Sequence, residues 1–163
     1  ALPCDLPLYR FREVLPAMRL NVPISVRYGE TDMMGVVYHA NYILYFEDAR
    51  EQYLRKLGFP YSVLEKRGLI SPVLHVECDY GESLRYGDDV IVQLAVTALK
   101  ATRVQFRYRI FANGADVDND KPFATGMSEH CLVERDGFKP VSMKKATPEL
   151  YERYKAALEP DFH

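Results

Sequence analysis

The chain has 163 residues, 48% of them hydrophobic and 27% charged, with a formal net charge of -2. One domain with a sizeable buried core is the default at this length. The slight acidity argues against non-specific nucleic-acid binding, which needs a basic footprint, and no apolar run approaches the roughly 18 residues that span a bilayer.

Cys4, Cys78 and Cys131 are widely spaced and form no CxxC pair. An odd count at that spacing argues against a disulfide framework or a zinc site. A reducing, cytoplasmic setting is expected. The first 20 residues carry scattered apolar positions but no continuous signal-type segment. They read as an N-terminal extension, an arm on the domain or on a partner subunit, with a single domain over 21–163.

From Asn21 to Tyr28 the apolar residues alternate (Val22, Ile24, Val26, Tyr28), which predicts a half-buried strand. Pro23 favours an edge or a strand start, and Tyr28 is expected to end the strand pointing inward. From Tyr42 to Leu57 the period changes. Tyr42, Tyr45, Phe46, Ala49 and Tyr53 make the main apolar stripe of a helix, with Ile43 and Leu54 off it. Such a helix is mostly buried, and Gly58 and Pro60 stop it. A short helical turn over 61–66 ends at Gly68.

Strands follow. Leu74, Val76, Cys78 and Tyr80 alternate, then a turn at Tyr86-Gly87-Asp88-Asp89, then Val90 to Ala98. A tight connection at Lys100-Ala101 leads into Val104 to Ile110. After a polar loop over 113–122, Phe123 to Val133 reads as one last long strand. Asp136-Gly137 signals a hairpin into a short strand over 139–143. Pro148 to Leu158 predicts a terminal helix with Thr147 as N-cap. Short turns imply antiparallel neighbours, and one long buried helix against an antiparallel sheet is an α+β architecture.

Between the first strand and the long helix lies the stretch from Tyr28 to Tyr42. Strand-to-helix loops usually take about 2–6 residues. This one is longer, holds an acid, a glycine and a histidine, and empties onto a helix N-terminus. Chemistry is expected here. On spacing alone Asp32 reads first as a turn or cap aspartate and His39 as a cap or hydrogen-bonded surface histidine, while Tyr28 reads as a core residue nearly as well as a site residue.

The segments Arg27-Tyr28-Gly29-Glu30-Thr31-Asp32, Gly35-Val36-Val37-Tyr38-His39-Ala40-Asn41-Tyr42 and Tyr45-Phe46-Glu47-Asp48-Ala49-Arg50 resemble the 4-hydroxybenzoyl-CoA thioesterase family. The Tol-Pal-associated acyl-CoA thioesterase branch is the nearest in pattern. Leu84-Arg85-Tyr86-Gly87-Asp88 and Gly126-Met127-Ser128-Glu129-His130 add weaker support. The resemblance implies a hot-dog fold, a curved antiparallel sheet wrapped around one long central helix. It implies dimers, often paired into tetramers, and hydrolysis of an acyl-CoA or related thioester without a metal or a separate cofactor. The family's catalytic Asp falls on Asp32, with Tyr28 and His39 as its partners. Met33, Met34, Gly35, Val36, Val37, Tyr38, Asn41 and Arg85 fall on substrate-binding positions. Met33 and Met34 stand where the family commonly has small residues, and are expected to narrow or grease the pocket.

Thioester hydrolysis needs a nucleophile or water-activating base and a holder for the developing oxyanion. Asp32 can attack the carbonyl to give an anhydride or deprotonate water; the residues do not separate these routes. Backbone N–H groups at the start of the helix, near His39, can hold the oxyanion, and Gly35 lets the loop bend back. Glu47 is a rival carboxylate, expected partly buried, or else paired with Arg50. Arg103, Arg107 and Arg109 form an outward row, read as a solvated face or, with Arg85 or Lys100, as a CoA-phosphate site. His75 and His130 read as structural. Two other readings stay open: a hot-dog enoyl-CoA hydratase or dehydratase, and a non-catalytic acyl-CoA-binding protein.

Overall fold

The computed structural model describes residues 17–163. Most of the expected N-terminal extension lies outside the described residues. Its last members are tied down: Met18 N–H donates to Ala157 O at 3.3 Å, and Arg19 pairs with Glu159.

Strand β1 (Leu20–Ser25) is shorter than its alternation predicts. It stops because Arg27 and Glu30 close a 3-10 turn over Tyr28–Glu30. The Glu30 carboxylate accepts the Arg27 backbone N–H at 2.9 Å and the guanidinium Nε–H at 2.8 Å. Tyr28 therefore does not end a strand facing inward. It is 77% exposed and its ring meets Tyr86 edge-on at 5.5 Å.

Helix α1 (Asn41–Lys56) matches its predicted span within a residue, and the whole predicted stripe is buried. Helix α2 (Tyr61–Lys66) follows, then β2 (Leu69–Ile70), β3 (Val73–Tyr80), β4 (Asp89–Leu99) and β5 (Val104–Ala112). The expected long strand after them is two strands, β6 (Ala124–His130) and β7 (Leu132–Glu134). Alternation fails there because Cys131, Leu132 and Val133 are buried in succession. Cys131 N–H turns to Pro72 O, and β7 joins a second sheet. Strand β8 is only Pro140–Val141, because Met143 opens helix α3 (Met143–Ala146). Helix α4 spans Pro148–Ala156 with Pro148 at its start, but the Thr147 hydroxyl donates back to Met143 O at 3.2 Å rather than capping it.

The main sheet runs β1-β4-β5-β6-β3 and the small one β2-β7-β8, every pair antiparallel. Pro23 sits in an edge strand, as its missing N–H requires. A register shift between Val96 and Ala98 bends β4. Helix α1 lies on the sheet face that carries Val104, Phe106, Tyr108 and Ile110. Phe46 stacks on Tyr108 at 4.4 Å and Tyr53 meets Phe106 edge-on at 5.6 Å. The expected α+β arrangement of an antiparallel sheet around one long helix is therefore present.

One polar cluster sits inside this core. Arg50, Ser128 and His130 are buried, and Arg50 packs on His130 rather than pairing with Glu47, which is exposed. The helix turns Glu47 to solvent while Arg50 follows the buried stripe three residues on. His130 Nε2 lies 2.7 Å from Ser128 Oγ, which lies 2.6 Å from the Tyr108 hydroxyl. Burial first, then the Arg50 charge, push the His130 pKa down to about 3 from an ordinary 6.5. The unfolded chain therefore binds one more proton between those two values. The stability that neutral His130 contributes is complete above about pH 6.5 and is lost as pH falls through the window. Urea unfolding between pH 4 and 6 should show this group adding up to ~1.4 kcal/mol per pH unit, and His130→Gln should remove that slope.

Candidate functional site

The loop from Thr31 to Val37 folds as a miniature hairpin. Thr31 and Val37 form an antiparallel bridge, and Asp32 N–H donates to Val36 O at 2.9 Å. Gly35 N–H returns to Asp32 O at 2.9 Å, with Gly35 at φ +73°, where a side chain is strained. Asp32 Oδ1 accepts Met34 N–H at 2.8 Å, an Asx turn. Its Oδ2 has no protein partner among the described residues. One oxygen holds the loop and the other is free.

The hairpin is anchored on both sides. Val37 is buried and donates its N–H to Leu84 O at 2.8 Å. Arg85 Nη1–H reaches Gly35 O at 3.3 Å. Beneath it, Glu30 accepts the Tyr45 hydroxyl at 2.8 Å, and Glu30 O accepts Asn41 Nδ2–H at 2.7 Å. Partial burial works against the Glu30 carboxylate, but the bonds from Arg27 and Tyr45 outweigh it and hold its pKa below the ordinary range. Glu30 thus stays ionised and ties the loop to α1. Sequence reasoning passed over it.

A cleft of about 170 Å³ opens beside the hairpin. Five predicted residues line it: Asp32, Met34, Val36, Val37 and His39. Tyr28, Met33, Gly35, Tyr38, Asn41 and Arg85 do not. Met33 is wholly exposed and so narrows nothing within this chain. Gly35, Asn41 and Arg85 shape the loop by the bonds just described. The far wall comes from Tyr42, Tyr80, Gly81, Glu82 and Ser83, none of them predicted. Tyr80 was reachable, since it ends the same alternation as Cys78; Gly81, Glu82 and Ser83 carry no sequence signal.

The helix start differs in detail from expectation. Asn41, Tyr42 and Ile43 donate their N–H groups to the carbonyls of Tyr38, His39 and Ala40, at 2.8, 3.4 and 3.2 Å. The groups without an acceptor among the described residues are one step earlier, on His39 and Ala40. Tyr42 instead uses its hydroxyl to accept Leu84 N–H at 3.2 Å.

The outward arginines do not line the cleft. Arg103 pairs with Glu129 at 3.0 Å, and Arg109 donates to Gln93 at 2.6 Å and lies over Phe162. His75 is exposed beside Glu77 at 3.2 Å.

The sequence profile of the thioesterase-like superfamily matches residues 26–153. A Bacillus subtilis protein provisionally named an acyl-CoA thioesterase is 34% identical over 134 residues, which cover 82% of this chain and 94% of that one. A 1,4-dihydroxy-2-naphthoyl-CoA hydrolase of Synechococcus elongatus is 33% identical over 67% of this chain and 77% of its own. Among solved structures, a DHNA-CoA thioesterase from Staphylococcus aureus superposes with a TM-score of 0.77 at 36% identity, covering 84% of this chain and 89% of that one.

Proposed function

The chain belongs to the thioesterase-like superfamily, has its hot-dog fold and is a thioester hydrolase; from that premise we propose that Asp32 acts on an acyl-CoA thioester held in the cleft. The observation that carries this is the divided Asp32 carboxylate, with Oδ1 committed to the Asx turn and Oδ2 free beside the cleft. Oδ2 either attacks the thioester carbon, releasing the CoA thiolate and leaving an anhydride that water opens, or takes the proton of an attacking water. The N–H groups of His39 and Ala40 receive the carbonyl oxygen as it gains charge. This chemistry uses no metal and no cofactor beyond the CoA of the substrate. Label found in Asp32 after a single turnover in ¹⁸O-labelled water identifies the anhydride route with water opening it at the Asp32 carbonyl, because the general-base route never bonds water oxygen to Asp32.

The functional unit is a homo-oligomer. Ligand pockets commonly measure about 300–1,000 Å³, and this cleft is smaller at about 170 Å³. It opens at the end of β3, which lies at the edge of the sheet. Val73, Leu74, Val76 and Tyr80 of that strand are exposed. A long apolar edge strand is a template for pairing with another chain, and a second β3 is its natural complement. No helix among the described residues is long and apolar enough to cross a membrane, and with Cys78 and Cys131 both free thiols the cytoplasm suits the protein.

Thiol trapping with short, long and aryl acyl-CoA tests the reaction. Release of free CoA is expected; turnover of enoyl-CoA without thiol release would overturn the reading. Sedimentation should give at least twice the chain mass, and Val76→Lys on the free edge should yield monomers that lose most activity.

A further inference from the structure

Tyr80 closes β3 and forms one wall of the cleft. Its ring meets Tyr42 edge-on at 5.2 Å and His39 edge-on at 6.5 Å. Its hydroxyl donates to the backbone carbonyl of His39 at 3.1 Å, across 41 residues of sequence. That carbonyl is one end of a planar trans peptide whose other end is the Ala40 N–H. In such a unit C=O and N–H point opposite ways, so a group that holds the oxygen also aims the hydrogen.

The peptide before it is held similarly, since Tyr38 O accepts Asn41 N–H at 2.8 Å. The His39 carbonyl receives only a long bond from its own helix, Tyr42 N–H at 3.4 Å. The His39–Ala40 peptide is thus the more weakly held of the two, and Tyr80 supplies its short bond from outside the helix. Burial, then the adjacent Cys78 thiol, keep the phenol above its ordinary pKa, so it remains a proton donor across the neutral range.

Building on the thioesterase reading, we infer that Tyr80 is a positioning residue, whose hydroxyl locks the His39–Ala40 peptide so that its N–H faces the thioester oxygen. It touches the donor and not the reacting atoms, so its contribution belongs to the transition state. A loosened donor loses rate, because sub-ångström placement carries much of the effect of preorganised groups. Substrate binding, which rests on the cleft walls and the retained ring, is little changed.

Tyr80→Phe removes only the hydroxyl from a half-exposed ring. Its expected result is a kcat lower by roughly 10- to 100-fold with KM within about twofold. The second readout is the carbonyl stretch of ¹³C-labelled benzoyl-CoA bound to Asp32→Asn protein, which holds substrate unreacted. Adding Tyr80→Phe should reduce the red shift that the N–H groups impose. An unchanged kcat, or a loss confined to KM with the red shift intact, overturns the inference. Failure of the wild-type protein to release thiol would instead overturn the thioesterase reading.

Discussion

In Asp32→Asn, thiol release from acyl-CoA falls by about 10³-fold while the fold and the CoA affinity stay as they were. The magnitude is that of losing a positioned acid–base group, ~10²–10⁴-fold. Asn serves well because Asp32 has two jobs on two oxygens. Its Oδ1 accepts Met34 N–H, and the amide oxygen of Asn does the same. Thr31–Val37 pairing and the Asp32–Val36 backbone bond are untouched. What disappears is the charge and the free oxygen, replaced by an NH₂ that can neither attack a carbonyl nor take a proton. Steady-state kinetics should place the loss in kcat. Asp32→Ala is the less informative variant, since it also deletes the turn bond. Near wild-type hydrolysis by folded Asp32→Asn protein would remove Asp32 from the chemistry.

The second large effect is on the fold. Gly126→Val should destabilise by ~3 kcal/mol or more, the upper range for overpacking a core. At this chain length that lowers Tm by roughly 6–12 °C. A Cβ at Gly126 would sit 2.3 and 2.6 Å from ring atoms of Phe46 and 2.8 Å from the backbone oxygen of Glu77. Phe46 cannot swing aside, because its other face stacks on buried Tyr108. The glycine is what lets α1 settle against β6. Phe46→Ala in the same chain should recover part of the loss, read as a coupling energy in a double-mutant cycle. Recovery is incomplete because the Glu77 contact is backbone. Full additivity of the two changes would show that they do not meet.

Much of the fold was legible in advance because its signals are local. A 3.6-residue apolar stripe from Tyr42 to Tyr53 needs only a water-excluded surface to become a buried helix. Alternation in β4 and β5 likewise needs only a sheet to lie on, and Gly58, Gly68 and Gly137 sit where positive φ ends an element. The errors arose where a specific hydrogen bond, near or distant in sequence, outbid the apolar pattern. Tyr28 continues the alternation of β1, yet the Glu30 carboxylate captures Arg27 and turns the chain first. Phe123 to Val133 alternates, yet Cys131 leaves for Pro72 on another segment.

The candidate site divides the same way. By itself the sequence determined the class of fold, the long helix, and the loop that carries Asp32, Gly35 and His39, because each is written in runs of consecutive residues. Only the tertiary structure decided which oxygen of Asp32 is free, which N–H groups at the helix start lack acceptors, and that Tyr80 and Glu82 form the opposite wall. It also decided that Glu47 faces solvent while Arg50 is sealed in beside His130. Hydrogen-bond partnership and burial are properties of what packs against a residue. For Tyr80, Tyr42 and Arg50 the partners lie about 40 to 80 positions away in the chain, and for Asp32 and the helix start the partners are near in sequence but the choice between them is made by the folded loop.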